Sequence, residues 1–143
     1  MSIVLQVKDK VQRLISEFYA GVTLGQNGAL VVPWDSARVI VRVSEYRDSS
    51  AVIEIIAVTN WSVPESPELF KHIATEANGY RFGSLSLYDN KDGTYNVNFS
   101  HAILGDSLDP EELKAAIGAV GWTANDIDDK IKAKFGGKMP GDA

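Results

Sequence analysis

The segment from Ala51 to Trp61 constrains the fold most, because it is apolar on both faces of an extended strand. Ile53, Ile55 and Ala57 share one face, and Val52, Ile56 and Val58 share the other. A strand with one face in water alternates apolar and polar residues, so this one belongs inside a sheet that is covered on both sides. The second cover is expected to be another subunit or a bound peptide. The preceding segment, Ala37 to Tyr46, does alternate: Val39, Val41 and Val43 oppose Arg38, Ile40, Arg42 and Ser44. Arg47-Asp48-Ser49-Ser50 joins the two as a turn.

Helical signals flank these strands. Val4, Val7, Val11, Leu14 and Phe18 recur at helical spacing from Ile3 to about Ala20, with Ile15 widening the stripe and Gly21 ending it. Ser66-Pro67 supplies an N-cap and first turn for a second helix, carried by Leu69, Phe70, Ile73, Ala74 and Ala77 and closed by Asn78-Gly79. Asp109-Pro110 with Glu112 opens a third, whose stripe is Leu113, Ile117, Val120, Ala124, Ile127 and Ile131. Gly118 and Gly121 inside it point to close packing or a bend near Trp122. Between the last two helices, segments 82–88 and 94–104 read as strands joined by Asp89-Asn90-Lys91-Asp92-Gly93. Segments 22–24 and 29–32 flank an irregular hairpin at Gly25 to Gly28, and Pro33 to Ser36 is expected to break the pattern. The order is α-β-β-β-α-β-β-α, an α+β domain over residues 1–137 with an antiparallel sheet of about five strands and a flexible tail at 138–143.

Absences exclude much chemistry. Zero cysteines among 143 residues remove disulfides, thiolate metal sites and thiol nucleophiles. The formal charge of -5 argues against nucleic acid as a partner. No apolar run approaches the ~20 residues of a membrane span, and the start of the chain lacks a signal-peptide layout. A cytoplasmic protein without cofactor or metal is expected.

The tempting motifs each have a simpler explanation. Gly105-Asp106-Ser107-Leu108 spells the nucleophile block of an esterase family, but no histidine follows Ser107 to act as its base. It reads as a loop leading to the Asp109 cap. Asn90, Asp92 and Gly93 resemble a calcium loop, yet Tyr88 and Phe99 would fall where carboxylates are required. Asp126, Asp128 and Asp129 are expected to form a solvated acidic face. His101 reads as a buried or half-buried structural residue, and His72 as lying at a helix edge. Trp34, Trp61 and Trp122 suit core or interface positions, or a ligand groove. Arg38, Arg42 and Arg47 form a basic stripe suited to guarding a sheet edge or contacting an acidic partner segment.

The run from Leu104 to Leu113, its continuation from Ala124 to Ile131, and the ending Phe135-Gly136-Gly137 resemble the close of YbjN-type and actinobacterial chaperone-like domains. The element order resembles the type III secretion chaperone fold. The resemblance implies a non-enzymatic, dimeric domain that binds apolar or extended segments of other proteins. The residues independently favour binding, since they offer an extra apolar sheet face and no nucleophile–base pair. On that reading Ile40, Val52, Ile56, Val58 and Trp61 form the peptide-binding or dimer face, acting by apolar burial and by strand addition at a sheet edge. The alternative is a small regulatory domain of sensory-transduction type, with a structural homodimer and no client.

Overall fold

The computed structural model describes residues 2–77 and 79–142; Asn78, expected to help close the second helix, lies outside the described residues. Helix α1 (Ile3–Phe18) is followed by strands β1 (Thr23–Leu24), β2 (Leu30–Trp34), β3 (Ala37–Tyr46) and β4 (Ser50–Pro64). Helix α2 (Pro67–Glu76), strands β5 (Ser84–Asp89) and β6 (Thr94–Leu104), and helix α3 (Pro110–Phe135) complete the chain. The strands form one antiparallel sheet of six in the order β1-β2-β3-β4-β6-β5.

The α+β class and element order agree with the sequence reading, but the sheet has six strands rather than about five. The difference lies at the irregular hairpin. Residues Gln26–Gly28 form a single 3-10 turn with Asn27 in the left-handed region at φ 57°, which folds Leu24 back beside Leu30. Two short strands result. Pro33 and Trp34 continue β2 instead of breaking it, pairing with Arg38 and Ala37. Proline is tolerated there because β1 pairs only as far as Val31, so Pro33 lies on an open edge where no donor is needed.

Capping residues act as their positions predict. The Ser66 hydroxyl accepts from the Leu69 N–H at 3.1 Å, and the Asp109 carboxylate accepts from the Glu111 and Glu112 N–H groups. The helices lie on one face of the sheet, α1 and α3 across its centre and α2 beside β5. Val7, Val11, Leu14 and Ile15 of α1 meet Leu113, Ile117, Val120 and Ala124 of α3 over Val39, Val41, Ile53, Ile55, Val97 and Phe99. The expected stripes on α1 and α3 therefore face the core, whereas of the α2 stripe only Leu69 and Ile73 are buried and Phe70 and Ala74 are exposed.

At the other end of α3, residues 138–142, read from the sequence as a tail, return to the sheet. Gly137 has φ 84°, and a Cβ there would stand 2.7 Å from a Val63 methyl. Lys138 then pairs with Trp61 through two backbone hydrogen bonds of 2.7 and 2.8 Å. Lys132 and Asp142 form an ion pair at 2.8 Å nearby.

Close packing explains one of the two glycines inside α3, Gly121. A Cβ on it would lie 2.5 Å from the Trp34 indole, whereas one on Gly118 would reach no atom closer than 3.7 Å. The indole therefore packs directly on the helix backbone, with Trp122 edge-on to it at 5.4 Å. Gly121→Ala is expected to destabilise the protein by about 1–3 kcal/mol through overpacking. Gly118→Ala should stabilise it by up to ~1 kcal/mol through helix propensity. Urea denaturation with unchanged m-values checks both; equal effects at the two positions would contradict the packing account.

Candidate functional site

The esterase-like motif is structural. Gly105 packs against α1, where a Cβ would meet a Val7 methyl at 2.8 Å, and its N–H donates to the Ala51 carbonyl at 2.8 Å. The Asp106 carboxylate accepts from the Ala51 N–H at 2.8 Å, securing the start of β4. No hydrogen bond joins Ser107 to either histidine: His101 lies edge-on to Phe82 and His72 lies against Phe135. Both histidines are partly exposed, as a structural reading expects. The Asp89–Gly93 segment closes the β5–β6 hairpin, with Asp92 accepting from the Thr94 N–H and hydroxyl.

The helix-free face of the sheet is the feature that remains unexplained by folding. Residues of one row lie side by side across it: Val31 pairs with Ile40, Ile40 with Ile56, Ile56 with Ser100, and Ser100 with Ser84. Val58 lies on one side of this row and Val52 on the other, opposite Ser44 and Leu104. Val31, Ile40, Val52, Ile56 and Val58 are half-buried by their neighbours alone, while the alternate residues of β4 are sealed beneath the helices. Arg42 and Glu54 pair across the strands between the Ile and Val rows at 3.3 Å. The β5–β6 half of the same face is mostly polar, with Ser84, Ser86, Asn96, Asn98 and Ser100, and carries exposed Tyr88 and Leu104 at its two ends.

Four of the residues singled out in the sequence, Ile40, Val52, Ile56 and Val58, thus share this face. Trp61 stands apart from them. The β4–β6 register shifts between Val58 and Val63, and Trp61 lies in that irregular stretch, exposed and paired to Lys138. Val31 was missed, because the irregular hairpin before it hides the phase of β2. Leu104, 54% exposed, was also missed; it belongs to this face only through its pairing with Val52.

One sheet edge is available for hydrogen bonding. The Leu85 N–H at the start of β5 donates to the Ala77 carbonyl at 3.3 Å, away from β6. Antiparallel alternation turns the Leu87 and Asp89 N–H groups the same way. At the opposite edge β1 is only two residues long, and Pro33 removes a donor from β2.

The acidic group on α3 differs from expectation. Asp126 and Asp129 are exposed, but Asp128 is buried, only 4% exposed. Its backbone carbonyl accepts from the buried Asn60 amide at 3.1 Å, and its carboxylate accepts from the Asp129 N–H at 2.7 Å. Helical periodicity places Asp128 one residue from the core position Ile127, close enough to be drawn in. Among the described residues no cluster of three or more His, Asp or Glu side chains is arranged to hold a metal ion. No helix among them is long and apolar enough to cross a membrane.

The described helices thus all lie on one side of the sheet, and an apolar strip lies on the other. Residues 6–142 match the family described as T3SS (YopN, CesT) and YbjN peptide-binding chaperone 1, and the chain belongs to that family. Its fold is similar to that of ExsC in the crystal structure of the ExsC–ExsE complex, with a TM-score of 0.64, 15% identity, and coverage of 90% of this chain and 96% of the other. It is also similar to YbjN from E. coli, with a TM-score of 0.60, 10% identity, and coverage of 86% and 92%. No curated protein matches the sequence.

Burial raises the Asp128 carboxyl above its ordinary value of 3.8, and the neighbouring acids add to the effect. The charged form is therefore disfavoured in the folded state. This group's contribution is most favourable below pH 3.8 and is lost as pH rises through the higher folded value. Asp128→Asn keeps an acceptor for the Asp129 N–H and is expected to raise the melting temperature at neutral pH. That advantage should shrink as the medium is acidified towards pH 3.8. Melting curves across this range check it, and an Asn variant that melts lower at neutral pH would contradict it.

Proposed function

We propose that this chain is a non-enzymatic peptide-binding module that takes an extended apolar segment of a partner protein on the helix-free face of its sheet. One observation carries the reading: Val31, Ile40, Val52, Ile56 and Val58 form an apolar strip that no element among the described residues covers. Family membership supports it, and so does the likeness to ExsC, a protein crystallised as a complex with ExsE. Apolar burial on the strip supplies the affinity. The outward N–H groups of Leu87 and Asp89 on β5 offer a second contribution, by strand addition. Trp61 joins the site from its end rather than its centre.

The competing use of the strip is a homodimer without a client, as in a regulatory domain. Fully burying one Ile or Val side chain is worth about 1.5–3 kcal/mol, roughly a tenfold or greater change in affinity. Ile56→Asp and Val58→Asp are therefore expected to weaken binding of peptides selected from a random display library by at least about tenfold. Near-ultraviolet circular dichroism should be unchanged, because neither side chain belongs to the core. Retained peptide affinity in both variants would contradict the assignment. Sedimentation velocity over a range of concentrations separates the uses: a homodimer that the two substitutions dissociate, with no peptide captured by the wild type, favours the structural dimer.

A further inference from the structure

The strip ends at a cleft that no sequence motif announces. Pairing between β3 and β4 stops at Ile40 and Ile56, although β3 begins at Ala37 and β4 continues to Pro64. Beyond that point β3 stays with β2, through Arg38–Pro33 and Ala37–Trp34, while β4 takes Lys138 as partner at Trp61. A cleft of about 560 Å³ opens between the β2–β3 turn and the returning chain. Its apolar lining comes from Pro33, Ala37, Trp61, Met139 and Pro140. That volume accommodates one or two side chains of a bound segment, not a small globular partner.

Among the described residues, Asp142 alone of the four charged side chains around the cleft has an ion-pair partner. The Asp142 carboxylate accepts from Lys132 at 2.8 Å and from the Met139 N–H at 2.8 Å. Those bonds, with smaller help from the charges of Lys132 and Lys138, hold it below the ordinary carboxylate value. Asp35 accepts from the Asn125 amide at 3.4 Å. Among the described residues Asp35 has no cationic partner, and Arg38 and Lys138 make no ion pair within 4 Å either; both cations are exposed, and the Lys138 charge acts on Asp142 only from a distance. Arg42, the next arginine along β3, is already paired with Glu54. In a chain of net charge -5, two unpaired cations beside an exposed tryptophan ask for a carboxylate carried next to an apolar side chain.

We infer that this cleft is a specificity pocket of the peptide-binding face, selecting segments in which an acidic residue adjoins an aromatic or branched apolar one. The inference rests on the proposed function and adds the chemistry of the partner. The apolar side chain packs on Trp61, Pro33 and Met139, and the adjoining carboxylate accepts from Arg38 and Lys138. Nucleic acid is the less suitable polyanion, since Asp35, Asp142 and the overall negative charge oppose a string of phosphates.

A random dodecapeptide display library, panned on the wild type and on R38E and K138E, tests this. Wild-type selections are expected to be enriched in Asp or Glu within two positions of an apolar residue. A synthetic copy of the best peptide should bind roughly tenfold more tightly than its Glu-to-Gln counterpart, as expected for a charge-assisted hydrogen bond. R38E and K138E should erase this preference or turn it towards Lys and Arg. Both replaced side chains are exposed, and an unchanged melting temperature would show that folding is intact. Selections without acidic enrichment, or with the same enrichment in the charge-reversed variants, would overturn the pocket while leaving peptide binding standing. A library that yields no binder overturns peptide binding itself, and the pocket with it. Tighter binding of single-stranded oligothymidylate than of any selected peptide overturns the choice of protein as occupant.

Discussion

The packing of β4 against α1 and α3 is the interaction on which the rest of the molecule depends. Ala51, Ile53, Ile55 and Ala57 are completely buried beneath the two helices. The same strand carries the ladders to β3 and β6 on its two sides. Its small residues let the helices approach, and its two isoleucines fill the space between them. Each Å² of apolar surface that this layer removes from water stabilises the fold by ~25 cal/mol. Its geometry also dictates what the opposite side of the strand must present, because adjacent residues alternate between faces.

That alternation explains why much of the architecture is legible in the sequence. The two-faced run at Ala51 to Trp61 announces a central strand, and the capped stripes announce the helices. Val39, Val41 and Val43 against Ile40 and Arg42 fix the phase of β3, so Ile40 and Ile56 can be placed on a common face before any coordinate is known. Less legible are the features set by tertiary contact. Leu24 and Leu30 find each other only through the left-handed Asn27. Pro33 reads as a breaker until the edge beside it is seen to be empty.

The site was legible in its centre and not at its end. The apolar residues of β3 and β4 carry a local pattern, which the sequence displays. The cleft is assembled from the β2–β3 turn, the irregular end of β4 and the segment after α3, about a hundred positions apart along the chain. Arg38 and Lys138 have no shared periodicity, so no local signal could join them. Asp128 failed for a related reason. Its neighbours Asp126 and Asp129 do face water, whereas Asp128 is buried where its backbone carbonyl accepts from Asn60 in the irregular stretch of β4, a tertiary contact with no local signal.

The helix-free face is divided within its own plane, mainly apolar over β2 to β4 apart from Arg42 and Glu54, and lined mainly by serine and asparagine over β5 and β6 apart from Tyr88 and Leu104 at the ends. A segment running along β4 would meet hydrocarbon for most of its length. One crossing the strands would pass from hydrocarbon to amides and hydroxyls within four strands, about 15 Å at the usual spacing. Crossing in one direction is therefore chemically different from crossing in the other. The sheet has a compass bearing, and a partner whose own sequence shifts from apolar to polar can be oriented by it.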